Sequence, residues 1–236
     1  MRKLHGSRNI FDIEVAGAHV TKRNIDVVER CKVVFIATKP AVVQSVLQEI
    51  SQHVTADHLI VSVAAGIKIS SLEKDLLHQP RVIRMMPNTA CSVQKGATVF
   101  SLGMWCKQGD ALLLQKLLTP CGFVAEVPES CIDVHTGMSG SGVAYGLVFA
   151  EALADGAVKM GMTRDLANKI AAQTLIGAGM MLLESGQHVG LLKDNVVSPG
   201  GTTSHGLHQL EKGCFRATVI NAVEAATMRS QFLSNQ

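Results

Sequence analysis

Short apolar runs alternate with helix-period segments through the first half of the chain, and the alternation stops near Pro128. Val33-Val34-Phe35-Ile36-Ala37 is a run of β-forming residues that predicts a buried strand. Lys39-Pro40 ends it, and Pro40 suits the first position of a helix, where its missing N–H costs nothing. Val42, Val43, Val46, Leu47 and Ile50 then recur at helical spacing. Leu59-Ile60-Val61-Ser62-Val63 predicts a second buried strand, closed by Ala64-Ala65-Gly66. Ser70-Ser71-Leu72-Glu73 matches a capping box, so a short helix is expected from there to about His78. Arg81 to Met86 reads as a third strand halted by Pro87-Asn88-Thr89, Ala97 to Phe100 as a fourth, and Gly122 to Val127 as a last one. A helix over Asp110 to Leu118 precedes that last strand. Strands alternating with helices predict a mostly parallel sheet covered on both faces.

From Glu129 onward no strand pattern is found. Ile132 to about Gly161 reads as one long helix rich in Gly, Ala and Ser. Thr163 is placed to cap a second helix that ends before Gly186, with Leu166, Ile170, Leu175, Met181 and Leu182 on one side. Shorter helices are expected over Val189 to Asp194 and Ser204 to Glu211, and a final one from Phe215 to Leu233. The expected organisation is residues 1–128 as an α/β domain and residues 129–236 as an all-helical one. Helices this apolar must be buried, which points to a second copy of the chain, a self-contained bundle being the alternative.

Composition narrows the function classes. Of 236 residues 47% are hydrophobic and 17% charged, which suits a packed core rather than disorder. The net charge of +3 is spread along the chain, with no basic run interleaved with aromatics, so nucleic-acid binding has no support. No uninterrupted apolar stretch is expected to reach membrane-spanning length. The six cysteines form no CxxC pair and fit a reducing compartment such as the cytoplasm. Arg2, Lys3, His5 and Arg8 give a faint hint of a mitochondrial transit segment, but an ordinary strand and turn is the favoured reading.

Three constellations can carry chemistry. Ser198-Pro199-Gly200-Gly201-Thr202-Thr203 lies between two predicted helices, where paired glycines expose backbone N–H groups and threonines add hydroxyls. Such a nest receives a carboxylate or phosphate, and the same pattern also fits a plain helix–helix turn with a threonine cap. Thr136-Gly137-Met138-Ser139-Gly140-Ser141-Gly142 weakens its helix, which suits either close approach of a ligand or close helix crossing. Ala37-Thr38-Lys39-Pro40, Ala64-Ala65-Gly66 and Pro87-Asn88-Thr89 follow the strands at the edge where open α/β sheets bind ligands, or are simply well-formed turns. No metal site is expected: His188, His205 and His208 belong to no HExxH or Cys/His cluster. Glu151 and Asp155 read as a solvated or interface face, and no nucleophilic triad is evident.

Ile132-Asp133, the Thr136–Gly142 segment, Glu151 to Gly161, Ala171 to Leu175, Leu192-Lys193-Asp194, Ser198 to Thr203 and Phe215-Arg216 together resemble the pyrroline-5-carboxylate reductase family. Lys39-Pro40, Ala64-Ala65-Gly66 and Met86-Pro87-Asn88-Thr89 continue the resemblance upstream. It implies a Rossmann-like domain followed by an all-α dimerisation domain, and reduction of Δ1-pyrroline-5-carboxylate to L-proline with NADPH or NADH. By carry-over, Thr203 is the catalytic residue, hydrogen-bonded to the ring nitrogen and favouring its protonated form, and Glu129, Ser198, Gly201 and Thr202 bind substrate beside it. The same carry-over assigns the cofactor to Ser7, Arg8, Asn24, Ala37, Thr38, Lys39, Pro40, Ala64, Ala65, Gly66, Asn88 and Asn195. The family's sites form where the sheet domain of one subunit meets helices of its partner, so a dimer, or an assembly of dimers, is expected. The family opens on a strand and a GxGxxG turn that this sequence does not contain. The chain is therefore expected to begin at the second strand of an incomplete Rossmann-like domain. A catalytically silent subunit, or a related imine or β-hydroxyacid reductase, is the alternative reading.

Overall fold

The computed structural model describes residues 17–234. A short helix α1 (Asn24–Arg30) precedes strand β1 (Val33–Ile36), helix α2 (Pro40–Ile50), strand β2 (Leu59–Ser62), helix α3 (Ile69–Lys74) and strand β3 (Arg81–Pro87). A 3₁₀ turn (Thr89–Val93) leads to β4 (Gly96–Leu102), helix α4 (Asp110–Leu118) and β5 (Gly122–Glu126). The helical half holds α5 (Ser130–His135), a π-helical segment (Thr136–Gly140), α6 (Gly142–Lys159), α7 (Arg164–Ser185), α8 (Val189–Val196), α9 (Thr202–Lys212) and α10 (Phe215–Ser234).

The strands lie in chain order, β1-β2-β3-β4-β5. β1, β2 and β3 are parallel, β4 runs antiparallel to β3, and β5 is parallel to β4. Alternation along each strand sorts the core into two layers. Val34, Ile36, Ile60 and Val82 pack on one face with Val28, Val43, Leu47, Ile50 and Leu72 of α1, α2 and α3. Leu59, Val61, Ile83, Met85 and Phe100 pack on the other with Leu114 of α4. Burial of both faces explains why β1 and β2 read as almost wholly apolar runs.

Residues 17–141 with 224–234 form one compact unit, and residues 142–223 form another. In the second, α6 and α7 meet through alanines, Ala154 against Ala167 and Ala171. Side chains this small let the two backbones come close. The large apolar residues of α7 lie elsewhere: Leu166, Ile170, Met181 and Leu182 are exposed. The expected single apolar stripe is therefore corrected: at 3.6 residues per turn Leu166 and Leu175 fall on opposite sides of α7, and among the described residues only its alanine side is covered.

Three further expectations change. The capping box is not formed: α3 starts at Ile69 with Lys68 as its flanking residue and no side-chain cap. Glu73 Oε1 instead accepts from Met104 N at 3.1 Å, and the helix stops at Lys74, short of His78. The single long helix from Ile132 is interrupted at Thr136–Gly140, where Ser141 N reaches back five residues to Thr136 O at 2.9 Å. Glycines lower the cost of that wider turn. Counting helical length through this segment, Ser130–Lys159 and Arg164–Ser185 are each long and apolar enough to cross a bilayer, by length and composition only. The expectation that no stretch qualifies is corrected.

Candidate functional site

Within the sheet unit, the turns after β1, β2 and β3 share the carboxyl edge of three parallel strands. Thr38 follows β1, and its Oγ1 is buried with no hydrogen-bond partner. Lys39, exposed, flanks α2, whose first residue is Pro40 and whose first turn has no side-chain cap. The partial positive charge of that helix end faces the same edge. Ala37 and Thr38 line a cleft with Asn24, Val46 and Ile50, and the Asn24 amide donates to Glu49 Oε2 at 2.8 Å. After β2, Ala64 and Gly66 are buried and Ala65 partly so. Gly66 has φ +73°, and a Cβ there would lie 3.0 Å from Leu233 Cβ. The bare glycine thus lets the last turn of α10 approach the loop. Asn88, after β3, accepts from Ala97 N at 3.2 Å and donates through Nδ2 to Ser139 Oγ at 3.0 Å. It joins β3, β4 and the π segment. Ser7 and Arg8 lie outside the described residues.

Beneath this edge lies a buried ion cluster that the sequence reading missed. Arg84, 1% exposed in the middle of β3, donates through Nη2 to Asp133 Oδ1 at 2.9 Å and through Nη1 to Glu129 Oε1 at 3.2 Å. Ser230 Oγ donates to Asp133 Oδ1 at 2.7 Å and Ser234 Oγ at 3.1 Å. Ile69 N donates to Glu129 Oε1 at 2.8 Å. Glu129 therefore fastens the start of α3 to the start of α5. The available signal was Arg84 in the apolar interior of a strand that already begins on Arg81, because a buried guanidinium requires carboxylate partners. His135, at the end of α5, has a buried Nε2 without a partner, and burial pulls its pKa below the ordinary histidine value.

In the helical unit, Ser198 to Gly201 forms a tight turn closed by Gly201 N to Ser198 O at 3.0 Å. Pro199 and Gly200 occupy its centre, and Gly200 takes φ +67°. Pro followed by a left-handed Gly is the pattern of a type II turn. The chain then enters α9 with Gly201 extended as its flanking residue and no side-chain cap. The first-turn amides of Thr202, Thr203 and Ser204 have no intrahelical carbonyl to reach. Gly201's own amide is engaged in the turn, so the anion-receptive amides are shifted one residue along from the expected Gly201/Thr202 pair. Ser204 Oγ donates to Gly201 O at 2.7 Å, and His205 Nδ1 lies 3.1 Å from the same oxygen. Thr203 is half-buried, and its hydroxyl makes no hydrogen bond among the described residues. Ser198 and Asn195 are exposed, Asn195 on the last turn of α8. His188 caps α8, accepting from Gly190 N at 3.1 Å.

A Rossmann-type sheet with an open carboxyl edge, joined to an all-helical half that presents an uncapped helix start, defines a nucleotide-binding α/β chain with an appended helical domain. Residues 129–233 match the family model of pyrroline-5-carboxylate reductase dimerisation, and residues 6–66 match that of the coenzyme F420-dependent NADP oxidoreductases. The chain belongs to the pyrroline-5-carboxylate reductase family. It is 56% identical over 223 residues to pyrroline-5-carboxylate reductase 3 of Xenopus laevis, covering 94% of this chain and 81% of the relative. The Danio rerio protein of the same name is 53% identical, covering 97% and 79%. Among solved structures, the Coxiella burnetii pyrroline-5-carboxylate reductase superposes with TM-score 0.89 at 34% identity, covering 97% of this chain and 86% of that one. The Plasmodium falciparum pyrroline carboxylate reductase with NADP bound gives 0.84 at 35% identity, covering 91% and 81%.

Proposed function

We propose that the protein reduces Δ1-pyrroline-5-carboxylate to L-proline with NADPH or NADH as a homodimer or an assembly of dimers. The observation that carries this reading is the uncapped start of α9, where free amides and the Thr203 hydroxyl stand side by side. The amides of Thr202 and Thr203, reinforced by the helix dipole, suit the substrate carboxylate. Thr203 Oγ1 is the candidate catalytic group: accepting a hydrogen bond from the ring N–H, it favours the protonated imine, whose carbon is the better hydride acceptor. Ser198 and Gly201 shape the turn that holds these groups, and Glu129 and Asn195 are further candidates for the pocket wall.

The sheet edge fits a dinucleotide. Thr38 offers a buried hydroxyl that lacks a partner among the described residues, beside the uncapped start of α2. Ala37, Lys39, Pro40, Ala64, Ala65 and Asn88 line the same edge, and Asn24 shares the cleft of Ala37 and Thr38. When bound, the cofactor supplies the hydride from its nicotinamide C4. The imine carbon gains that hydride, and the ring nitrogen keeps its proton as the amine of proline.

The helical domain, from residue 129, supplies the dimer contact. Its exposed apolar residues, among them Leu147, Val148, Ile176 and Leu183, are too many for an isolated water-facing bundle. Packing against a second copy covers them. The six free thiols suit a reducing compartment such as the cytoplasm. The test is direct: the purified protein is mixed with synthetic Δ1-pyrroline-5-carboxylate and NADPH, and proline is quantified by mass spectrometry. Proline formation in step with cofactor oxidation is expected. A dimer that binds NADPH yet makes no proline from this imine overturns the reading.

A further inference from the structure

The glycine-rich π segment has no role in the mechanism above, yet one of its side chains is oriented by the sheet. Ala97 N–H is a donor only, so the Asn88 atom that meets it at 3.2 Å is the carbonyl oxygen Oδ1. The other end of the same amide is then Nδ2, and it donates to Ser139 Oγ at 3.0 Å. Ser139 Oγ is therefore an acceptor in that contact, and its own proton points to some other group. No described residue accepts it: the hydroxyl does not bond back to the turn before it, as Thr136 Oγ1 does to Ile132 O at 2.8 Å. Ser139 is partly exposed and sits against the end of β3, at the carboxyl edge of the parallel strands. A pre-oriented, unused O–H at the ligand-binding edge of an open α/β sheet is a recognition group.

We infer that Ser139 binds the nicotinamide end of the dinucleotide by donating to its carboxamide oxygen, with Asn88 holding the hydroxyl in the donating orientation. The inference rests on the reductase reading and adds a residue to it. A single neutral donor suits a neutral carbonyl. The anionic carboxylate of the substrate has a better match in the amide cluster and dipole of α9. The wider π turn brings the serine to the Asn88 side chain where a regular helix would carry it round to another face.

Binding of NADPH, of its thionicotinamide analogue and of 2′-phospho-ADP-ribose is measured by titration calorimetry on the full chain. Sulfur is a weak acceptor, so the wild type is expected to prefer NADPH to the thio analogue roughly three- to tenfold. Ser139→Ala is expected to bind both nicotinamides alike, at the weaker level, with 2′-phospho-ADP-ribose unchanged. Ser139→Thr restores the preference. Asn88→Asp is the sharper variant: both carboxylate oxygens accept, so the Ser139 proton turns toward the carboxylate and the preference is lost with Ser139 still in place. A Ser139→Ala protein that keeps the preference overturns the inference and leaves the reductase reading standing. So does a variant that loses 2′-phospho-ADP-ribose affinity in parallel, because the residue would then be structural. A wild type that binds none of the three overturns both.

Discussion

Arg84 Nη2 lies 2.9 Å from Asp133 Oδ1, 49 residues away along the chain, with the arginine sealed inside the sheet. That pair joins the middle strand to the start of the helical half, and through Ser230 it also holds the end of α10. Removing one member strands a buried charge. Arg84→Met is expected to destabilise the protein by about 3 kcal/mol or more, and Asp133→Asn by a similar amount. The double variant Arg84→Met/Asp133→Leu is expected to lose less than the sum, with coupling above about 1 kcal/mol. Urea denaturation of the four proteins checks this, and strict additivity would refute the pairing. Ser230→Ala, which removes a hydrogen bond to the carboxylate, is expected to cost about 1.5 kcal/mol.

Gly66 combines a left-handed backbone with a close neighbour: φ is +73°, and Leu233 Cβ lies 3.0 Å from where a side chain would begin. Gly66→Ala must strain the backbone and push α10 outward. A loss of about 1–3 kcal/mol is expected. Gly66→Ala in a Leu233→Gly background, which removes the contacting Cβ, separates the two causes. Relief of most of the loss assigns it to the contact, and no relief assigns it to φ.

His135 couples stability to acid. Burial lowers its folded pKa beneath the ordinary value of 6.5, which the unfolded chain retains. Between the two values the unfolded state binds more protons, so stability rises with pH across that window. The contribution is complete above pH 6.5 and is lost as the pH falls through 6.5 toward the folded value. Comparing urea midpoints at pH 8 and pH 5.5, the wild type is expected to lose more than His135→Phe. Equal losses in the two proteins would exclude His135 as a source.

Cys106 donates to Val82 O at 3.1 Å, and burial pushes its thiol pKa up to about 11. At pH 8 the thiolate is scarce. Iodoacetamide is expected to leave Cys106 unmodified in the folded protein and to alkylate it once urea unfolds the chain. Peptide mass spectrometry reads both states, and rapid native labelling would contradict the burial.

The sheet was legible because β1 and β2 are almost wholly apolar runs and β3 halts at Pro87-Asn88, so local pattern alone marks the strands. The Pro199-Gly200 turn and the start of α9 were legible for the same local reason. What escaped is long-range. Arg84 reads as a surface charge until Asp133 and Glu129 fold onto it. Glu73 reads as a capping residue until Met104 N claims its carboxylate. The stripe expected on α7 failed because Ala167 and Ala171, rather than the larger residues, meet α6 within the chain. The exposed apolar residues of α7 answer to a partner that one chain does not show.

Thr203 is the residue on which the proposed chemistry turns. Its hydroxyl is half-buried and makes no bond among the described residues, one position inside a helix start that already offers amides to an anion. A hydroxyl that accepts from the ring N–H raises the share of bound imine in the protonated, electrophilic form, so its removal should lower turnover more than binding. Thr203→Ala is expected to reduce kcat by more than tenfold, with KM for the imine changed far less and the thermal midpoint within a few degrees of wild type. Thr203→Ser keeps the hydroxyl and should recover most of the rate. The pair isolates the hydroxyl from the methyl. If the serine variant is as slow as the alanine one, packing around the methyl is responsible and the Thr203 hydroxyl is not the ring nitrogen's partner. If the alanine variant turns over at the wild-type rate, ring-nitrogen protonation does not depend on this side chain.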